Sequence, residues 1–179
     1  MDQKIILIHG NGGATGKDHW FPWLTKELSD RGFNVLAPDF PDAQLARSSI
    51  WLPFIKKLGA NEQTILVGHS SGAVPSTRYC ETHKILGSVL IGADYSDLGD
   101  ETEKASGYYD SPWGWSAIKK NQQWIIQFAS TDDPYIPISQ PRFIHKKLDT
   151  DYHEFTNRGH FMIPQFPELR DTLLSKLSS

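Results

Sequence analysis

A single cysteine, Cys80, stands in the whole chain, so no internal disulfide can form and no cysteine pair is present to hold a structural metal. That scarcity leads us to expect a reducing, cytoplasmic setting. Basic residues are not in surplus either: 18 Lys and Arg face 21 Asp and Glu, for a net charge of -3. Without a basic stripe to neutralise a phosphate backbone, nucleic acid is excluded as an expected partner. No apolar run approaches the roughly 20 residues that a membrane span requires. The run at 5–8 is too short for a signal-peptide core, and it enters a glycine loop instead of a small-residue cleavage site. An HExxH helix is missing too, so neither a metal nor any other cofactor is expected.

What is present describes a globular protein. With 179 residues, 39% of them hydrophobic and 22% charged, the chain suits one domain with one shared core, spanning 1–179. Short apolar runs recur as "KIILIHG" at 4–10, "FNVLAPD" at 33–39, "QTILVGH" at 63–69, "GSVLIGA" at 87–93 and "WIIQFAS" at 124–130. Each is nearly continuous, not alternating, which is the pattern of strands buried on both faces of a parallel sheet. Helical patterns separate them at 19–32, 48–59 and 71–83, the first two ending at Gly32 and Gly59. This alternation predicts a doubly wound α/β fold with right-handed crossovers. Further along, a helix is expected at 137–148, a short strand at 153–157 and a closing helix at 166–177, for about six strands in a mainly parallel sheet. The segment 94–123 breaks the regularity with acidic and aromatic residues. It reads either as a cap over one end of the sheet or as a connecting insertion.

The stretch "LVGHSSGA" at 66–73 carries the first chemical signal. Gly68-His69-Ser70-Ser71-Gly72 fits G-x-S-x-G centred on Ser70, and the frame centred on Ser71 does not fit. A chain of this length meets the pattern by chance about one time in ten to twenty, so context must decide. Here a buried strand precedes Ser70 and a helix follows it, as a strand-to-helix turn that exposes a nucleophilic hydroxyl requires. Serine needs a base to take its proton and a carboxylate to orient that base, supplied downstream in the order Ser, Asp or Glu, His. "STDDPYIP" at 130–137 puts Asp132 and Asp133 at the end of a strand, and Asp133, heading Asp-x-x-Ile-Pro, is the chosen acid. Among seven histidines, His160 in "NRGHF" at 157–161 occupies the loop between the last strand and the last helix. Taken singly, each of the three is an ordinary loop residue. Their joint placement at three consecutive strand ends carries the reading.

An oxyanion hole needs one backbone N–H from the residue after the nucleophile and one from the loop after the first strand. Those are Ser71 and, in "HGNGG" at 9–13, Asn11, with Gly12 as competitor. The stretch "GNGGATG" at 10–16 is one residue too long for G-x-G-x-x-G and lacks a P-loop lysine, so nucleotide binding is not expected. Cys80 reads as a small buried hydrophobe, and His69 as a packing or hydrogen-bonding residue, not as the base. Trp20, Trp113, Trp115 and Phe161 are candidates for the wall of a substrate pocket, although core packing accounts for such residues more often.

With these residues in view, the chain resembles the retinoblastoma-binding protein 9 family of small serine hydrolases, within the α/β-hydrolase superfamily. The likeness rests on "GNGG" at 10–13, "SIWLPF" at 49–54, "GHSSGA" at 68–73, "ETH" at 81–83, "SDLGDE" at 96–101, "ASGY" at 105–108, "STDDP" at 130–134 and "GHF" at 159–161. "SIWLPF" and "ASGY" are not general hydrolase motifs and make the resemblance specific. It implies a compact three-layer α/β sandwich and puts Ser70, Asp133 and His160 at the nucleophile, acid and base positions. It also implies action on esters or small amides, with aminopeptidase-like activity toward aromatic residues in some members. The family's L-x-C-x-E segment corresponds here to Leu58-Gly59-Ala60-Asn61-Glu62, where Ala60 replaces the cysteine. That replacement argues against retinoblastoma-type binding, which belongs to the competing reading of a non-catalytic binding module. A second departure is His9 before "GNGG", where the family is associated with proline.

Overall fold

The computed structural model describes residues 3–177 of the chain. Six strands form one sheet in which every pairing is parallel: β1 (Lys4–Ile8), β2 (Asn34–Leu36), β3 (Thr64–His69), β4 (Gly87–Ile91), β5 (Trp124–Ser130) and β6 (Asp151–Phe155). Their spatial order is β2-β1-β3-β4-β5-β6. The sheet is open and flanked by helices α1 (Phe21–Ser29), α2 (Ser48–Lys57), α3 (Ala73–Tyr79), α4 (Glu101–Ala105), α5 (Trp115–Lys120), α6 (Ser139–Leu148) and α7 (Pro167–Leu177). The elements follow the predicted order. β6 begins two residues before the predicted strand, because Asp149 at φ 55 ends α6 and turns the chain directly into it.

Continuous apolar strands are explained by two cores. Ile5, Leu7, Ile65 and Val67 face a layer built on α1 and α7, with Leu24, Leu28, Leu169 and Leu173 among its buried residues. Ile6, Ile8, Leu66 and Leu90 face the opposite layer, where Trp51, Ile55, Tyr79, Cys80 and Ile144 pack. Successive strand residues point to opposite faces, so a strand covered on both sides must be apolar at every position. The result is the three-layer sandwich expected from the sequence.

Topology positions the site. From β1 the chain winds outward to β2, then crosses back to place β3 on the other flank of β1 and continues through β4, β5 and β6. The winding reverses between β1 and β3, and ligands of open α/β sheets sit in the crevice beyond the carboxyl ends of such a strand pair. Register brings Ile8 opposite Gly68, so the loop after β1 abuts the turn after β3. Two glycines make this approach possible. A Cβ on Gly68 would lie 2.3 Å from the Gly72 carbonyl oxygen, and one on Gly72 would lie 2.3 Å and 2.4 Å from those of Ile8 and His9.

The segment 94–123 contains both short helices α4 and α5. Its first part runs over the carboxyl end of the sheet, whereas α5 packs on the flank beside α6. Gln140 of α6 ties down its start, accepting from the Tyr95 N–H at 3.0 Å and donating to Ser96 Oγ at 2.9 Å. Arg78 fixes its middle by donating to the Ser111 and Pro112 carbonyls at 2.7 Å and 3.1 Å. Leu58, where the L-x-C-x-E-like stretch begins, caps α2, and the Lys4 ammonium donates to its carbonyl at 2.9 Å.

Adding a methyl group at Gly72 forces it into the β1 backbone, so Gly72→Ala should cost more than about 3 kcal/mol in urea unfolding. Gly32, at φ +86 with nothing within 4 Å, should lose only the left-handed backbone penalty, about 1–2 kcal/mol. Equal losses for Gly72→Ala and Gly32→Ala would contradict the close-approach account.

Candidate active site

Ser70 follows β3 and opens the single turn Ser70–Gly72 that leads into α3. Its φ of 56 lies in the left-handed region, a strained conformation for a residue with a side chain. The strain is held by the tight packing at Gly68 and Gly72, and it turns the hydroxyl away from the sheet. His160 Nε2 lies 2.8 Å from Ser70 Oγ, and His160 Nδ1 lies 2.7 Å from Asp133 Oδ2. Both the His160 and Asp133 side chains are buried. Asp133 is fixed by its other oxygen, Oδ1, which accepts from the Tyr135 and Ile136 N–H groups at 2.9 Å and 3.0 Å. Three residues from three strand ends are thereby joined in one hydrogen-bonded line.

The histidine loop is held from both sides, by Asp132 and Ser130, which the sequence did not single out for this, and by His69, which it read as a packing or hydrogen-bonding residue. Asp132 Oδ1 accepts from the Gly159 N–H at 2.9 Å and from the Ser130 hydroxyl, while Ser130 Oγ accepts from the Arg158 N–H at 3.1 Å. These bonds, the Ser130 hydroxyl foremost, hold the Asp132 carboxyl below its ordinary pKa. On the opposite side His69 Nε2 donates to the His160 carbonyl at 2.7 Å. Burial, reinforced by His160, pushes the His69 pKa down to about 3. His69 therefore stays neutral and serves as a hydrogen-bonding strut.

The loop after β1 is set by His9, whose Nε2 accepts from the Phe40 N–H at 2.8 Å while Nδ1 faces the Gly10 carbonyl at 2.7 Å. Burial lowers the His9 pKa, in keeping with a neutral ring that accepts at one nitrogen and donates at the other. Of the two oxyanion candidates in this loop, Gly12 donates its N–H to the Gln44 carbonyl at 3.3 Å and is spoken for. No acceptor among the described residues takes the Asn11 N–H. Ser71 sits in the first turn of the helical segment, where N–H groups lack an intrahelical partner.

A cavity of about 550 Å³ opens beside Ser70 and His160. Its composition corrects the sequence reading, because Trp20, Trp113, Trp115 and Phe161 do not line it. Trp20 is wholly buried and stacks on Phe21 at 4.2 Å between ring centres, while Phe161 is wholly buried and stacks on Phe166 at 5.2 Å. Both rings anchor neighbouring loops in the core. Trp113 and Trp115 stack on each other at 5.1 Å, with the Arg78 guanidinium 3.7 Å over Trp113. They secure the 94–123 segment. Phe21 and Tyr135 are the Phe and Tyr residues that reach the cavity instead.

Two features of the cavity went unread. Asp94, Asp97, Asp100 and Glu103 line one wall, and Leu98, Tyr135 and Met162, the exposed large hydrophobics among the described residues, all lie at the mouth. The spacing Asp100-x-x-Glu103 is a helix-start pattern, yet nothing local to it says that Glu103 faces this cavity. Among the described residues no group of three or more His, Cys, Asp or Glu is placed to hold a metal ion, and no helix is long and apolar enough to cross a membrane.

A parallel sheet flanked by helices, with serine, histidine and carboxylate at the carboxyl ends of its strands, defines the α/β-hydrolase class. The serine hydrolase family profile matches residues 5–166. Serine hydrolase RBBP9 of Rattus norvegicus is 46% identical over 178 residues, which are 98% of this chain and 96% of that protein. The chain belongs to the serine hydrolase family and is a hydrolase. Among solved structures, the ydeN gene product of Bacillus subtilis has a TM-score of 0.89 at 25% identity, covering 99% of this chain and all of that one (100%). The Pyrococcus furiosus esterase PF2001 shares the fold at a TM-score of 0.70 and 15% identity, covering 99% and 81%.

Asp94 gives the site a pH-dependent stability. Burial, with Glu103 second, raises its carboxyl pKa from 3.8 to about 7, against a hydrogen bond donated by Tyr109 at 2.8 Å. Between these values the folded chain holds a proton that the unfolded chain has released, so stability falls as pH rises. The contribution is complete below about pH 4 and lost as pH passes about 7. Asp94→Asn keeps an acceptor for Tyr109 and cannot ionise. Its urea midpoint should exceed that of the parent protein at pH 8, with the gap closing toward pH 4; equal midpoints at pH 8 would contradict the assignment.

Proposed function

We propose that the protein cleaves carboxylic esters or amides by acyl transfer through Ser70, with residues 1–179 acting as one hydrolase domain. The observation that carries this reading is the continuous line from Ser70 Oγ through His160 to Asp133, at 2.8 Å and 2.7 Å, opening on the cavity. Ser70 Oγ attacks the carbonyl carbon while His160 Nε2 takes its proton. Asp133 holds the Nδ1–H of His160 and stabilises the imidazolium that forms. The Ser71 and Asn11 N–H groups stabilise the oxyanion. Collapse expels the alcohol or amine, protonated by His160, and leaves an ester on Ser70. Water, deprotonated by the same histidine, attacks that ester; the acyl–Oγ bond breaks, His160 returns the proton to Ser70 Oγ, and the acid is released.

The wall of carboxyl groups supports an acyl portion that carries an ammonium, and hence aminoacyl esters or amides. A cation there relieves the burial of negative charge that raises the Asp94 pKa. Leu98, Tyr135 and Met162 offer apolar surface to a side chain or leaving group. The first part of 94–123 acts as a partial cover over this pocket. The relative RBBP9 is a serine hydrolase, and the aminoacyl preference proposed here rests on the carboxyl wall and on the family resemblance.

On a neutral p-nitrophenyl ester, Ser70→Ala and His160→Ala should each lose at least about 10³-fold in kcat. Ser71→Ala, which keeps its backbone N–H, should fall only several-fold. Turnover by Ser70→Ala at the parental rate would overturn the acyl-enzyme. For the substrate class, a phenylalanyl amide of aminomethylcoumarin should be cleaved at least about tenfold better than its N-acetyl counterpart. A preference for the acetylated compound would exclude ammonium recognition.

A further inference from the structure

The strongest unexplained feature is the Glu103 carboxyl group. Its Oε1 accepts from Asn11 Nδ2 at 2.7 Å and from Ser71 Oγ at 2.6 Å. These are the two residues whose backbone N–H groups are assigned to the oxyanion, one on the loop after β1 and one on the turn after β3. Two chain segments that are 60 residues apart in sequence order are thus joined through a single oxygen atom supplied by a third. Resting on the acyl-enzyme reading, we infer that Glu103 is a positioning residue: it sets the spacing and orientation of both oxyanion donors.

The local structure of α4 is consistent with that task. Asp100 caps the helix, accepting from the Thr102 and Glu103 N–H groups at 2.8 Å and 3.0 Å. In a reciprocal capping box the acidic residue three positions on would reach back to the N–H of the cap residue. Here the Asp100 N–H is bonded to the Asp97 carbonyl at 2.8 Å, and the Glu103 side chain is directed across the pocket instead. A five-residue helix has little stability of its own. Its cap, the Ser48 N–H bond to the Ser106 carbonyl at 2.8 Å, and the two Glu103 bonds hold it in place. Glu103 Oε2 lies 3.4 Å from the Tyr109 hydroxyl, which donates to Asp94 at 2.8 Å.

Charge is not what recommends glutamate at this position. A negative carboxylate beside the oxyanion donors opposes the charge that develops there, so the benefit must come from geometry. Glutamine separates the two effects. It keeps an oxygen able to accept from Asn11 and Ser71, and its amide can donate to the Tyr109 oxygen.

The test is steady-state hydrolysis of a neutral p-nitrophenyl ester, on which recognition of an ammonium has no bearing. Glu103→Ala should lower kcat at least about tenfold while KM stays within about threefold, because the lost contacts act on the transition state. Glu103→Gln should restore most of that loss. In an Asn11→Ala/Ser71→Ala background, adding Glu103→Ala should cause little further loss in kcat, since its two contacts to the oxyanion segments are already gone. Thermal melts of each variant separate misfolding from mispositioning, and if Glu103→Ala alone folds poorly, Glu103→Asp, which keeps the carboxylate but shortens its reach to Asn11 and Ser71, should show the same fall in kcat with KM little changed. Parental kcat in Glu103→Ala, or a Glu103→Gln loss as deep as that of Glu103→Ala, overturns the positioning role. Ser70→Ala, assayed alongside, reports on the nucleophile: at background rate, it leaves the acyl-enzyme reading standing even if Glu103 proves dispensable. Parental turnover by Ser70→Ala would overturn both.

Discussion

The turn after β3 lies against the β1 backbone at a distance that only glycine permits, and from that contact the rest of the site is built. Gly72 has no room for a Cβ between itself and the carbonyls of Ile8 and His9, and Gly68 has none beneath Gly72 and Ala73. Ser70, held between them, adopts a left-handed conformation that it would not choose in a free chain. The strain is balanced by the β1–β3 pairing and by the two cores that clamp the sheet from either face. The same contact brings the loop after β1 beside the serine, so the tight packing sets the place of the hydroxyl and of the loop that carries Asn11.

Much of this was legible in the sequence because it follows from burial and spacing. Strands covered on both faces must be apolar throughout, and the runs at 4–10, 63–69, 87–93 and 124–130 say so directly. The parallel sheet followed from the alternation of strands and helices, whereas the reversal between β1 and β3 that opens the crevice is seen only in the strand order. Ser70, Asp133 and His160 were selected by position at strand ends, and the structure brings those three side chains together. The sequence favours Asn11 over Gly12 in the loop after β1, but it does not show what separates them. The distinction depends on which N–H a distant carbonyl, that of Gln44, takes.

What escaped the sequence reading depends on directions that a linear pattern does not encode. Large aromatic residues are equally suited to a core and to a pocket wall, and Trp20, Trp113, Trp115 and Phe161 all serve to anchor loops. Asp132, set aside in favour of Asp133, secures the loop that carries His160 beside His69, whose hydrogen-bonding role was expected. The irregular segment 94–123 yields no periodicity, yet its short helix α4 directs Glu103 at Asn11 and Ser71. Asp94, drawn toward neutrality by burial beside Glu103, belongs to the same acidic wall.

The proposed chemistry requires Ser70, and not its neighbour Ser71, to be the nucleophile. Reaction with a fluorophosphonate, followed by intact mass and peptide mapping, measures this directly. The account predicts one adduct per chain, located on Ser70, formed much more slowly in His160→Ala and absent in Ser70→Ala. An adduct on Ser71, or equal labelling of Ser70→Ala, would contradict it.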